Sequence, residues 1–246
     1  MCGILGEYSP SNRLPPLESF KKILDISKSR GPDETSIKSI SGKVRFGFNR
    51  LSILDLSKEA SQPIWSPSGR YLIVFNGEIY NHLELRKNLG AFGANIKSHG
   101  DTLSLAYCID KWGIDKSIES LEGMFAIGIW DRKASSLSLA RDFAGIKPLF
   151  YGYNRKGFVF SSQYNQISCH PFFIDEEINQ SVLKLYIYQH YIPPPFGLLK
   201  NTYSVLPGEI VQLDKYGELE KKRYWSFPEF DNSMVDYNDA KDIVEN

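Results

Sequence analysis

The sequence predicts a layered α+β domain built on two sets of buried strands. Short apolar runs of strand character recur early, in Cys2–Tyr8, Val44–Phe48 and Tyr71–Phe75, and again from Met124 onward. Segments with helical spacing lie between and after them. A chain of 246 residues with 42% hydrophobic content has enough apolar mass for a large core between such layers. Pattern alone does not give the order of the layers.

Each element has a local reason. Cys2–Tyr8 reads as a short strand that would hold a chain terminus rigidly. Pro15-Pro16 opens a helix in which Leu17, Phe20 and Leu24 share a face, and Gly31-Pro32 stops it. Arg30-Gly31-Pro32-Asp33 has tight-turn chemistry. Tyr71–Phe75 is a continuous apolar run, hence a buried strand, and ends in Asn76-Gly77-Glu78. Tyr80–Leu89 reads as helical. A further helix follows Asp101, with Leu105, Ile109 and Trp112 on one face and Cys108 in the core. Met124–Trp130, Leu137–Ala140, Leu149–Tyr153 and Phe158–Ser161 suggest an antiparallel meander. Asn179–Tyr191 is a second helical region, and Ile192-Pro193-Pro194-Pro195 is stiff and extended. Leu206-Pro207-Gly208 turns the chain into a last strand ending at Leu213. Glu229–Asn246 is acidic and poor in apolar residues, a linker or the start of a further domain.

Composition excludes several classes. Lys plus Arg equals Asp plus Glu, so there is neither the basic footprint of a nucleic-acid binder nor a polybasic membrane patch. No apolar run reaches the roughly 18 residues of a membrane span, and no signal peptide precedes the first strand. The three cysteines are odd in number and widely spaced, which suits a reducing cytoplasm better than a disulfide framework. His82, His99, His170 and His190 form no ligand cluster and read as scattered surface or loop residues, so no metal is expected.

Four places carry candidate chemistry. Removal of Met1 would leave Cys2 with an α-amine and a thiol on one residue. That amine, titrating at roughly 7.7–8.0, can serve as the base for its own thiol. Arg50 is either a surface arginine at a strand end or a fork for a carboxylate. Asn76-Gly77 is either a hairpin turn or an oxyanion hole made from one side-chain amide and one backbone N–H. Asp101 is either a helix N-cap or a carboxylate for a substrate ammonium.

These pieces meet in one resemblance. Met1-Cys2-Gly3-Ile4, Arg30-Gly31-Pro32-Asp33, Arg50-Leu51-Ser52-Ile53-Leu54-Asp55 and Asn76-Gly77-Glu78-Ile79-Tyr80-Asn81 stand in order, followed by Gly123-Met124-Phe125 with Trp130-Asp131 and Leu139-Ala140-Arg141-Asp142 with Lys147-Pro148-Leu149. From Cys2 to about Trp225 the chain resembles the class II glutamine amidotransferase domains, in the branch of the glutamine-hydrolysing asparagine synthetases. The resemblance implies the N-terminal nucleophile hydrolase fold, an αββα sandwich of two antiparallel sheets between helices, over residues 2–225, with 226–246 leading toward a C-terminal synthetase domain. It implies that Cys2 attacks the side-chain amide of L-glutamine, that Asn76 and Gly77 hold the oxyanion, and that Arg50 takes the α-carboxylate. Asp101, with Glu78 nearby, would take the α-ammonium, while Leu51, Ser52, Ile53 and Leu54 line the pocket. No cofactor belongs to this domain. ATP and magnesium belong to the synthetase domain, attached or separate, whose Ser-Gly-Gly pyrophosphate loop is not found here. A homodimer is among the assemblies the resemblance allows.

The chain departs from the family pattern at Leu103, where an acidic residue is usual, at Phe143, where arginine is usual, and at Asn49 and Gln163. These leave the acceptor of the ammonia open. Aspartate, a sugar acid or another carboxylate fits, and so does a degenerate scaffold domain that turns over no glutamine.

Overall fold

Gly3–Tyr8 is mostly glycine and apolar residues, with Glu7 the one charge, and the strand they form, β1, is buried along its whole length. The structure is a computed structural model and describes residues 1–53, 57, 60–96, 98, 100–227 and 241. β1 is central in its sheet. It pairs on one side with β3 (Val44–Arg50), in the register Gly3 to Asn49, and on the other with β9 (Gly157–Ser161). The sheet also holds β2 (Glu34–Ile40), β8 (Phe150–Asn154) and β10 (Thr202–Ser204), and among the described residues its order is β10-β8-β9-β1-β3-β2. A central strand is hydrogen-bonded along both edges, so the residue just before it has little freedom. Cys2 is that residue.

The second sheet runs β12-β11-β7-β6-β5-β4, with β4 at Ile64–Trp65, β5 at Tyr71–Ile79, β6 at Gly123–Asp131, β7 at Ser136–Arg141, β11 at Glu209–Leu213 and β12 at Leu219–Arg223. The strand pairings in both sheets are antiparallel. The sheets face each other across a core that includes Ile4, Phe46, Phe48, Leu72, Val74 and Phe160. Outside the second sheet, α2 (His82–Asn88), α3 (Asp101–Trp112) and α4 (Ile114–Glu119) cover Ile73, Phe75 and Ile127. Outside the first, α1 (Leu17–Asp25) and α5 (Tyr164–Ser168) cover Leu5 and Val159. The result is the expected helix–sheet–sheet–helix stack.

One packing device joins the sheets. The Phe160 ring lies between Gly6, its cross-strand partner, and Gly128 of the facing sheet. A Cβ on Gly128 would stand 2.5 Å from that ring. Gly128→Ala is therefore expected to destabilise the fold by about 1–3 kcal/mol, the usual cost of overpacking. A lower denaturant midpoint at unchanged slope would be the readout.

Several expectations are corrected. The four later strand runs do not form one meander. β6 and β7 belong to the second sheet, β8 and β9 to the first, and the chain crosses between them over residues 142–149. Alternation has the same period in either sheet, so it does not reveal the partner. β2 and β12 escaped notice because both are edge strands with few buried side chains. α1 ends at Asp25, well before Gly31, and its buried face is Phe20, Ile23 and Leu24, while Leu17 is exposed. Asn179 caps α6 (Gln180–Gln189), accepting from the N–H groups of Ser181 and Val182. His170 is no surface residue. It is fully buried, with Nε2 2.8 Å from Glu7 Oε2, and Arg45 Nη1 closes the other Glu7 oxygen at 2.6 Å. A carboxylate on the central strand needs that pairing to be buried. Cys108 is in the core, as expected, where burial pushes its thiol up to about 12. Apart from residues 226, 227 and 241, the acidic segment lies outside the described residues. No described helix is long and apolar enough to cross a membrane.

Candidate functional site

Along β3, Val44, Phe46 and Phe48 point into the core between the sheets, and Arg50 follows in the same alternation. Ile4 does the same on β1, which puts Cys2 on that face too. The core thus gives way, at one end of the sandwich, to a cavity of about 220 Å³ lined by Cys2 and Arg50. Leu51, Ser52 and Ile53 line it from the loop after β3. Asn76, Gly77 and Glu78 line it from β5, and Asp101 from the start of α3. Every residue singled out from the sequence meets here except Leu54, which lies outside the described residues.

The Cys2 thiol is half-buried and tied to Leu51. The Leu51 N–H points at Sγ from 3.4 Å, and the Leu51 carbonyl lies 3.7 Å away. Arg30 Nε donates to the Cys2 carbonyl at 3.0 Å. Burial pushes the thiol pKa up, while the Leu51 backbone, the chain amine, Arg50 and Arg30 pull it back. Met1 also lines the cavity.

Asn76-Gly77 is not a turn. β5 continues through both residues to Ile79, pairing Asn76 with Ala126 and Gly77 with Phe125. Asn76 is buried at 1% exposure, and its Nδ2 has no acceptor among the described residues. A buried donor left unpaired is costly, so one aimed at a cavity marks where an acceptor is received. Gly77 presents a backbone N–H next to it by strand geometry. Phe125 spends its N–H on Asp142 Oδ2 and its C=O on Asp142 N–H, on the side away from β5. Its partner Gly77 therefore turns its own N–H away from β6. On that edge the flanking N–H groups are taken, Phe75 by Gln62 Oε1 at 2.6 Å and Ile79 by Asp101 Oδ2 at 2.9 Å. Glycine is required because a Cβ at position 77 would lie 2.1 Å from the Met124 carbonyl.

Asp101 is not the cap of α3; Gly100 holds that place. Asp101 is the first helical residue, buried, and its carboxyl is pushed up to about 6. Burial is the main cause and Glu78 adds to it, against the N–H groups of Ile79, Asp101 and Thr102. Arg50 is buried and already engaged. Nη1 meets Glu34 Oε2 at 3.2 Å, and Nη2 donates to the Ser57 carbonyl at 3.0 Å.

Met124 and Lys147 also line the cavity, and sequence reasoning gave neither a role. Lys147 is placed by the Arg141-Asp142 pair. Asp142 Oδ2 accepts the Lys147 N–H at 3.0 Å, and Arg141 Nε donates to the Lys147 carbonyl at 2.8 Å. The signal was present in Leu139-Ala140-Arg141-Asp142 with Lys147-Pro148-Leu149, which braces the crossing between the sheets. The departures from the pattern fall outside the cavity. Asn49 is a buried tie, donating to the Leu24 carbonyl at 2.8 Å, and Phe143 packs against Trp225 with the rings tilted and their centroids 5.0 Å apart.

A profile of the glutamine amidotransferase domain matches residues 1–225. The chain is 31% identical to a putative glutamine-hydrolysing asparagine synthetase 2 of Methanocaldococcus jannaschii, over 94% of this chain and 47% of that protein. It is 35% identical to a putative glutamine-hydrolysing asparagine synthetase of Mycobacterium bovis, over 85% of this chain and 34% of that one. The chain thus spans less than half the length of these curated relatives. In fold it is similar to the glutamine phosphoribosylpyrophosphate amidotransferase of B. subtilis solved with ADP and GMP. The TM-score is 0.62 at 19% identity, covering 92% of this chain and 50% of that one. With its two antiparallel sheets between helices and a family match over nearly its whole length, the chain belongs to the class II glutamine amidotransferase domains.

Proposed function

We propose that this domain hydrolyses L-glutamine through a thioester on Cys2 and supplies the ammonia to an ATP-dependent synthetase domain of asparagine synthetase type. Loss of Met1 frees the Cys2 α-amine. The amine takes the thiol proton, and the thiolate attacks the γ-carbonyl carbon. The oxyanion is held by Asn76 Nδ2 and Gly77 N–H. The protonated amine gives its proton to the leaving nitrogen as the carbon–nitrogen bond breaks and ammonia departs. Water then hydrolyses the thioester to glutamate and restores the thiol. Arg50 grips the α-carboxylate, and Asp101 with Glu78 the α-ammonium, while Leu51, Ser52 and Ile53 shape the wall. A ligand lacking either charge forgoes one of these two contacts, which supports selectivity for the amino acid.

The observation that carries this reading is the unpaired Asn76 Nδ2 on the cavity that holds the Cys2 thiol. No cofactor takes part in this half of the reaction. ATP and magnesium serve the synthetase domain. The spaced, free cysteines are in keeping with work in a reducing cytoplasm. Intact mass before and after a glutamine-analogue electrophile, run beside glutamate release, tests the proposal. Loss of one methionine, a single label on Cys2 and glutamate formation are expected. A processed but unlabelled Cys2 with no glutamate would sink it.

The Asp101 carboxyl gives a pH signature. A carboxyl near 6 is charged above that pH and protonated below it, so ammonium binding weakens as pH falls through about 6. The KM for glutamine is expected to climb on the acid side. Asp101→Asn keeps an acceptor for the Ile79 N–H but starts from a raised KM and loses that dependence. An unchanged acid limb in Asp101→Asn would remove Asp101 from substrate binding.

A further inference from the structure

Glu34 was not among the residues singled out from the sequence, and it does not line the cavity. The register nevertheless sets it directly opposite Arg50, as a cross-strand pair of β2 and β3. One strand further, Gly3 pairs with Asn49, which brings Cys2 alongside Arg50 on the same face. Cys2, Arg50 and Glu34 thus form a row across three neighbouring strands. Glu34 Oε2 takes Arg50 Nη1 at 3.2 Å and the Ser61 hydroxyl at 2.9 Å. The Arg50 side chain is 8% exposed and that of Glu34 39%, so the guanidinium is enclosed while its partner reaches solvent.

We infer that Glu34 is an internal competitor for the substrate α-carboxylate at Arg50, and so a determinant of glutamine affinity. The inference rests on the assignment of Arg50 proposed above. A guanidinium binds a carboxylate best through two parallel N–H donors. Here Nη1 already serves a carboxylate and Nη2 a backbone carbonyl. An arriving α-carboxylate must share the guanidinium with Glu34, whose like charge opposes it, or push Glu34 aside. A pair with one partly exposed member is weak enough to be displaced, so the contact lowers affinity without closing the site. Glu34 contacts no reacting atom, and the chemical step does not depend on it.

Steady-state kinetics on the Met1-processed full chain separates the cases. Glu34→Gln keeps the shape and an acceptor for Arg50 and Ser61 but removes the charge. The KM for glutamine is expected to fall about three- to ten-fold with kcat unchanged, the scale of a partly screened charge contact. Glu34→Ala is expected to move KM the same way. The effect should vanish for the analogue whose α-carboxylate is replaced by a neutral carboxamide. A KM that stays level or rises in both variants would overturn the competitor role and leave Glu34 as a support for the loop after β3. Arg50→Gln is the control. A raised KM upholds Arg50 as the carboxylate site, whatever Glu34 does. An unchanged KM would overturn the Arg50 assignment, and the inference with it.

Discussion

Cys2→Ala is expected to lower glutamate release by a factor on the order of 10⁴–10⁶, the range seen when a covalent nucleophile is removed. The size follows from how little else in the cavity can attack a carboxamide. Cys108 is in the core, and Cys169 is exposed and does not line the cavity. Blocking the amine is the companion test. A variant that retains Met1 keeps the thiol and the fold but carries an amide nitrogen on Cys2, which cannot accept the thiol proton. It is expected to lose about 10²–10⁴-fold, the usual contribution of general acid–base catalysis. Glutamate release read beside intact mass checks both. If Cys2→Ala retained activity, the thioester route would be wrong; if the Met1-retaining form matched the processed one, the α-amine would not be the base.

Asn76→Ala is expected to cost about 10²–10³ in kcat, roughly 2.7–4 kcal/mol of transition-state stabilisation, with KM nearly unchanged. The split matters. A donor that meets the oxygen mainly after it becomes negative contributes to the barrier and little to ground-state binding. A mainly raised KM would instead make Asn76 a binding residue. The side chain is buried, so truncation also opens a small void. Asn76→Leu, of similar volume, keeps the packing and should show the same kcat loss. The second donor cannot be removed by side-chain substitution, and adding a Cβ at Gly77 drives into the Met124 carbonyl. Position 77 is therefore tested through folding rather than kinetics.

The site was legible to the extent that its chemistry is local. A cysteine behind the initiator methionine carries its own base in its own backbone. Asn76 and Gly77 are adjacent, and one strand delivers a side-chain donor and a backbone donor together. Arg50 and Asp101 were legible as residue types with two meanings each, and the fold excluded a surface place for Arg50 and the cap position for Asp101. Arg50 falls where the alternation of β3 runs out of core, and Asp101 is the first residue of α3, one past the cap position at Gly100.

The residues themselves determined most of the helical segments and the buried strands, because periodicity acts over a few positions, whereas the grouping of the site residues followed from the family resemblance, which gave no role to Met124 and Lys147. Only the tertiary structure decided which strand joined which sheet, since an alternating run fits either face until long-range packing selects its partner. It alone turned the Gly77 N–H outward, because that direction depends on Phe125 being bonded on its other side to Asp142. It alone buried His170 against Glu7, residues 163 positions apart in the chain. And it alone set Glu34 against Arg50, since no local pattern records which residues a register brings opposite each other.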